Sequence, residues 1–153
     1  MTIHWCGTGL SAIPGLRRLI EAGHDVTVWN RSTDKAQAAV GDLTADIHAF
    51  DRDALPGDVV VSMLPGDWHV PLAELCLSKG GHFVSSSYIA PEMRTLDETA
   101  RARGLSLVNE IGLDPGIDHL MAHHLVADYR ASGVCDAAND LSFTSYCGGV
   151  PKH

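Results

Sequence analysis

The sequence holds no unbroken run of about 18 apolar residues, so no segment of it reads as a membrane-spanning helix. Its four cysteines, Cys6, Cys76, Cys135 and Cys147, are scattered without a CxxC pair, which points to neither a zinc site nor a disulfide framework. Basic blocks are missing as well: 11 Lys and Arg stand against 19 Asp and Glu, a formal net charge of −8. Nucleic-acid backbones are held by clustered Lys and Arg, so nucleic acid is not an expected partner, although a local site can still take a phosphate. The opening residues MTIHWCGTG lack the basic and apolar stretches of a signal peptide, and a cytoplasmic protein is expected. There are no repeats and no low-complexity tracts. What is present is 153 residues, 45% hydrophobic and 20% charged, which suits a globular domain with enough chain for a core.

Apolar stretches of strand length alternate with helical patterns. Residues 2–6 read as a strand and run directly into Gly7-Thr8-Gly9. Leu10, Ile13, Leu16, Leu19 and Ile20 then recur at helical spacing, Pro14 falls in the first turn where a missing N–H costs little, and Gly23 stands where the helix would be capped. Residues 24–29 alternate as a second strand, Ser32 suits the N-cap of a helix over 33–40, and 47–50 make a third strand. The near-continuous apolar run at 58–64 is that of a strand buried on both faces. A helix, a strand at 83–86, a helix at 91–103 and a strand at 105–109 complete the series. This alternation predicts an α/β fold, a Rossmann-type doubly wound parallel sheet with helices on both faces. A further helix to about Ala131 and an alternating strand at 140–146 read as the start of a truncated second α+β domain. The chain then divides into a cofactor domain at 1–118 and a connecting helix and strand at 119–153, where Leu141, Phe143 and Tyr146 lack cover and favour self-association.

Gly7-Thr8-Gly9-Leu10-Ser11-Ala12 fits GxGxxG/A between a first strand and a helix. The first glycine permits a tight turn, the second lets backbone approach a pyrophosphate, and the small third residue allows close helix–strand packing. The end of the second strand selects between dinucleotides. An NAD site usually places a carboxylate there for the ribose 2′-hydroxyl, whereas Asn30-Arg31-Ser32 offers a guanidinium and a hydroxyl, which suit the 2′-phosphate of NADP. The plainer reading of Arg31 is a solvated arginine before a helix cap. The segments Met63-Leu64-Pro65-Gly66 and Ser85-Ser86-Ser87-Tyr88 end the fourth and fifth strands, so they border the same cleft.

Leu113-Asp114-Pro115-Gly116 follows the last of these strands. Pro-Gly is the chemistry of a type II turn, and Pro115 biases Asp114 towards an extended conformation aimed at the cleft mouth. Asp118 suits the N-cap or first turn of the next helix. His119 and His123 would share a helical face, but no Glu or Cys completes a zinc set, and no metal is expected.

Four places, GTGLSAIP, VWNRSTDKAQ, VSMLPGDWH with VSSSYIAPEM, and VNEIGLDPGIDH with SYCGG, resemble the saccharopine dehydrogenase family, nearest its NADP-dependent, glutamate-forming branch. That resemblance implies an oxidoreductase of lysine metabolism and amino-acid biosynthesis. NADPH would reduce the imine of 2-aminoadipate semialdehyde with glutamate, an amino-acid substrate of saccharopine type. By matching motif, Gly9 to Ala12, Asn30 to Ser32, Phe50, Asp51, Leu64, Pro65 and Ser86 would touch the cofactor. Ser87, Tyr88, Asp114, Cys147 and Gly148 would touch the substrate, and no general acid or base is assigned. The loop departs from the family pattern at Gly66 and Asp67. The resemblance ends where family members continue into a substrate and dimerisation domain, so a homodimer is expected when that domain is complete, and the 153-residue chain alone would bind cofactor with little turnover. A carboxynorspermidine-type enzyme and a non-catalytic NADP-binding module are the alternatives. A substrate panel separates the first, and copurification with a second polypeptide would favour the other.

Overall fold

Strands that are apolar on both faces need a cover on each side, and here the chain supplies it by alternating strand with helix. The computed structural model describes residues 1–146 and 148. Six parallel strands, β1 (Ile3–Cys6), β2 (Val26–Asn30), β3 (Asp46–Ala49), β4 (Val59–Ser62), β5 (His82–Ser85) and β6 (Leu107–Val108), lie in the order β3-β2-β1-β4-β5-β6. This is the strand order of a dinucleotide-binding Rossmann sheet, whose order reverses beside β1. Cys6 lies opposite Trp29 on one side and Ser62 on the other. The central strands therefore finish nearly level, and the residues after them meet at one edge.

Two cores follow from the side-chain alternation of the strands. On one face Trp5, Val26 and Val28 pack with Leu16 of α1 (Ile13–Glu21) and with Ala36, Ala39 and Val40 of α2 (Thr33–Val40). On the other face Cys6, Trp29, Val60 and Phe83 pack with Leu72, Ala73 and Cys76 of α3 (His69–Lys79) and Met93 of α4 (Pro91–Thr95). Burial pushes the Cys76 thiol up to about 12, so it packs as a small apolar group rather than a reactive thiolate. Ser32 is extended and its Oγ accepts a hydrogen bond from the Lys35 N–H at 3.4 Å, the expected N-cap of α2. The far end of α2 is tied to α1 by Arg17, whose guanidinium donates to the Val40 carbonyl at 2.6 Å and pairs with Asp42 at 2.9 Å.

Several expectations are corrected. Leu10 does not join a helix: α1 begins at Ile13, and Leu10 is 92% exposed on the glycine turn, because the motif holds its backbone out of the helix. The single helix expected at 91–103 is α4 followed by α5 (Asp97–Ala102), divided at Leu96, whose N–H takes the tighter i−3 bond to the Met93 carbonyl at 3.1 Å. The strand expected at 105–109 shrinks to two residues, since β6 is at the sheet's edge and, among the described residues, pairs with β5 alone. Residues 140–146 alternate in sequence but form no strand; no described strand lies alongside to complete a ladder. α6 (Ile117–Ala131) follows β6 with none of its residues buried, and among the described residues no helix is long and apolar enough to cross a membrane.

Two buried histidines make stability sensitive to acid. His4 Nδ1 accepts from Trp29 Nε1 at 3.2 Å, while its Nε2 has no partner among the described residues. His69 Nε2 donates to the Leu64 carbonyl at 3.0 Å. Burial lowers both pKa values, against the upward pull of Asp58 and Asp25 on His4 and of the Leu64 carbonyl on His69. The unfolded chain thus binds protons more readily than the folded one once the pH falls below about 6.5, and stability drops with pH from there, by at most about 1.4 kcal/mol per pH unit for each histidine. Urea unfolding at pH 7.5 and pH 5.5 should show the lower midpoint at pH 5.5; equal midpoints would refute this account.

Candidate functional site

Level strand ends require the chain to leave β1 abruptly, and Gly7 makes that exit. Its φ is +102°, its N–H donates to the Trp29 carbonyl at 2.8 Å, and the Met63 N–H donates to the Cys6 carbonyl at 2.8 Å. A Cβ on Gly7 would stand 2.9 Å from the Met63 oxygen, so no larger residue fits without moving the end of β4. Gly9 is the opposite case: a Cβ there would meet nothing within 4 Å. Its backbone faces open space at the start of α1, whose first turn carries no acidic residue, and this is a cradle fit for a pyrophosphate. Ala12, 1% exposed, is packed in the core beneath the turn, and its N–H donates to the Gly9 carbonyl at 2.9 Å. Leu10 and Ser11 form the exposed shoulder of the same turn.

A cleft of about 470 Å³ opens above these glycines. It gathers Gly7, Gly9, Asn30, Arg31, Phe50, Leu64 and Pro65 from four separate strand ends, together with Thr8, Ala49, Met63 and Trp68. Asn30 shapes the β2–α2 turn, its Nδ2 donating to the Ser32 carbonyl at 2.8 Å. Arg31 is exposed and has no hydrogen bond or ion pair among the described residues, so its guanidinium is available to an anion in the cleft. Ser32 does not line the cleft; its oxygen is engaged in capping α2. Asp51 also lies outside it, where Oδ1 accepts from the Asp53 N–H at 3.0 Å in a local turn.

The rim continues without a break towards β5 and β6. Ser86 Oγ donates to Met63 Sδ at 3.8 Å, and Ser86 Cβ lies against Gly112, 3.1 Å from where a Cβ of that glycine would be. The Glu110 N–H donates to the Ser87 carbonyl at 3.1 Å, and the Ile89 N–H to Glu110 Oε1 at 3.1 Å. These bonds bring Tyr88 to Asp114, and the Tyr88 hydroxyl donates to Asp114 Oδ1 at 2.6 Å. Ser87, Tyr88 and Asp114 therefore share one rim. Gly148 joins Asp114 in lining a groove of about 670 Å³ along α6, while Cys147 lies outside the described residues.

The type II turn expected of Pro115-Gly116 is not formed. The Asp114–Pro115 bond is cis and Gly116 has a φ of 149°, far from the value near 80° of a type II turn. The loop instead closes on itself: the Gly112 N–H donates to the Pro115 carbonyl at 2.9 Å, and the Ile117 N–H to the Gly112 carbonyl at 3.0 Å. Asp118 takes the structural part expected of it in the first turn of α6, its Oδ1 accepting from the Gly116 N–H at 2.7 Å. Among the described residues no group of three His, Cys, Asp or Glu stands together to hold a metal ion. Sequence reasoning missed Trp68 and the anchoring of Leu64 by His69. The available signal was an aromatic and a histidine following Pro65 in the loop after β4.

Comparison with known proteins agrees with this geometry. The family model of the saccharopine dehydrogenase NADP binding domain matches residues 6–108. The chain is similar to a saccharopine dehydrogenase [NADP(+), L-glutamate-forming] of Pyricularia oryzae, 35% identical over 154 residues that cover 95% of this chain and 33% of that protein. It is also similar to an alpha-aminoadipic semialdehyde synthase of Arabidopsis thaliana, 42% identical over 95 residues, 62% of this chain and 9% of that one. Among solved structures, the apo saccharopine dehydrogenase (L-Glu forming) of Saccharomyces cerevisiae superposes with a TM-score of 0.77 at 30% identity, covering 86% of this chain and 32% of that chain. The chain thus spans about a third of the length of its saccharopine dehydrogenase relatives.

Proposed function

The chain belongs to the family of saccharopine dehydrogenase NADP-binding domains, and from that premise we propose that it is the cofactor-binding part of an NADP-dependent oxidoreductase acting on a carbon–nitrogen bond in lysine metabolism. The observation that carries this reading is the cleft itself: an open glycine cradle at one end and, at the other, Arg31, unpaired among the described residues, with no carboxylate at the end of β2. When bound, NADPH supplies the hydride. This chain's own part is to seat the phosphates on the backbone at Gly7 to Ala12, to hold the 2′-phosphate with Arg31, and to aim the nicotinamide at the rim formed by Ser86, Ser87, Tyr88 and Asp114. The Tyr88–Asp114 pair suits an amino-acid substrate: the Asp114 carboxylate attracts an ammonium, and the Tyr88 hydroxyl, whose one proton goes to Asp114, can accept from that ammonium through its oxygen. The substrate class proposed is accordingly the imine of 2-aminoadipate semialdehyde with glutamate.

The domain division at 118, a cytoplasmic setting and a homodimer belong to the same proposal. Three features support them: α6 begins at Ile117, Cys6, Cys76 and Cys135 are free thiols suited to a reducing compartment, and Leu120, Met121, Leu125 and Phe143 are exposed apolar side chains that a second surface would cover. Calorimetric titration with NADPH and NADH in parallel tests the reading. NADPH should bind more tightly, and Arg31→Ala should weaken it by about 10- to 150-fold, the loss of a charged hydrogen bond, while leaving NADH little changed. Equal affinity for both, untouched by Arg31→Ala, would overturn the NADP assignment.

A further inference from the structure

The loop between β4 and α3 forms a 3-10 turn, Gly66–Trp68, which carries the one tryptophan not buried in the described structure: Trp68 is 41% exposed, Trp5 and Trp29 only 6% and 8%. An indole exposed to that degree forfeits the gain of burial, yet Trp68 is not free to swing. It meets Phe50 edge to face, ring centroids 5.4 Å apart and planes at 87°. Phe50 is in turn fixed by the end of β3, its N–H donating to the Asn30 carbonyl at 3.0 Å, and it packs against the core under α3. Two rings held perpendicular to each other make a corner in the wall of the cleft that also holds Arg31.

The sheet order determines which part of a dinucleotide meets that corner. The glycine turn at β1 receives the phosphates, and the end of β2 receives the 2′ group of the adenosine ribose. Phe50 follows β3, one strand further out, and Trp68 reaches across to it, so the corner lies on the adenosine side and away from the β5–β6 rim. Resting on the cofactor reading above, we infer that Trp68, braced by Phe50, is the residue on which the adenine ring of the cofactor stacks, and that it sets affinity for the adenosine half alone. Aromatic faces bind bases through stacking that needs no hydrogen-bond pattern, and the stack supplements the charge of Arg31 rather than replacing it.

The test uses the two halves of the cofactor as separate probes, adenosine 2′,5′-bisphosphate and reduced nicotinamide mononucleotide, with wild type, Trp68→Phe and Trp68→Ala. Trp68→Ala should weaken adenosine 2′,5′-bisphosphate by about 5- to 150-fold, Trp68→Phe should restore most of that loss, and neither should change nicotinamide mononucleotide binding. Adenosine 2′,5′-bisphosphate should quench wild-type tryptophan emission, and the quench should vanish in Trp68→Phe although the probe still binds. Unaltered bisphosphate affinity in Trp68→Ala, with NADPH still bound by wild type, would overturn the inference and leave the cofactor reading standing. Failure of wild type to bind NADPH at all would remove both. Equal thermal midpoints for the three proteins are expected, because Trp68 lies on an exposed turn; a large drop in Trp68→Ala alone would assign the residue to folding and count against the inference.

Discussion

Gly7→Ala is expected to weaken NADPH binding by about 150-fold or more and to destabilise the protein as well. A residue with a Cβ costs about 1–2 kcal/mol in a left-handed conformation, and the φ of Gly7 is +102°. The added methyl would also stand 2.9 Å from the Met63 oxygen, backbone that cannot rotate away. The turn must therefore shift, which withdraws backbone N–H groups from the phosphates. Each charged hydrogen bond lost costs about 1.5–3 kcal/mol, so two lost together give the stated factor. Gly9→Ala separates the two effects, because its methyl would enter open space in the free protein. That variant should keep wild-type stability and still lose cofactor affinity. Calorimetry and thermal melts on both variants decide the matter; wild-type NADPH affinity in Gly9→Ala would show that the pyrophosphate lies elsewhere.

Phe83→Ala is expected to cost about 3–5 kcal/mol of stability, the range for removing a fully buried aromatic side chain. Phe83 is 0% exposed on β5, within the cluster of Cys6, Val60, Leu72 and Cys76. In a chain of this size such a loss lowers the melting temperature by about 6–20 °C. Phe83 also lies beside the His69 ring, 6.0 Å between centroids, and His69 holds the Leu64 carbonyl at the cleft. Cofactor affinity measured well below the melting temperature should therefore fall too. Phe83→Leu leaves a smaller void and should lose less. A Phe83→Ala melting temperature within about 2 °C of wild type would sink the claim that this face depends on that ring.

How much of this could be read beforehand varied with how local the cause was. β1, β2 and β4 were legible because a strand covered on both faces, or an alternating one, writes its burial directly into the chain. The glycine turn was legible because its requirement is steric and falls on Gly7, Gly9 and Ala12 themselves. Leu10 misled, since its spacing is helical while the motif lifts it into solvent. The strand expected at 140–146 failed for a different reason: alternation prepares one face, but a strand exists only beside another strand. The turn after β6 carries the Pro-Gly pair of a type II turn and adopts another closure, set by bonds from Gly112 to residues on its far side. Trp68 was illegible as a cleft residue because its meeting with Phe50 spans 18 positions and depends on where β3 and β4 end.

Arg17 has a meaning beyond stability. It joins the last carbonyl of α2, that of Val40, to α1, and α1 begins after the glycine turn while α2 begins one residue after Ser32, beside Arg31. The helices that carry the phosphate cradle and the 2′-phosphate receptor are thus strapped together where the middle of α1 meets the far end of α2. The span between the two anchoring points on the cofactor is set in advance, like the jaws of a caliper locked at one reading. A ligand of matching length is measured against that setting rather than shaping it, and little ordering of these helices remains to be done on binding.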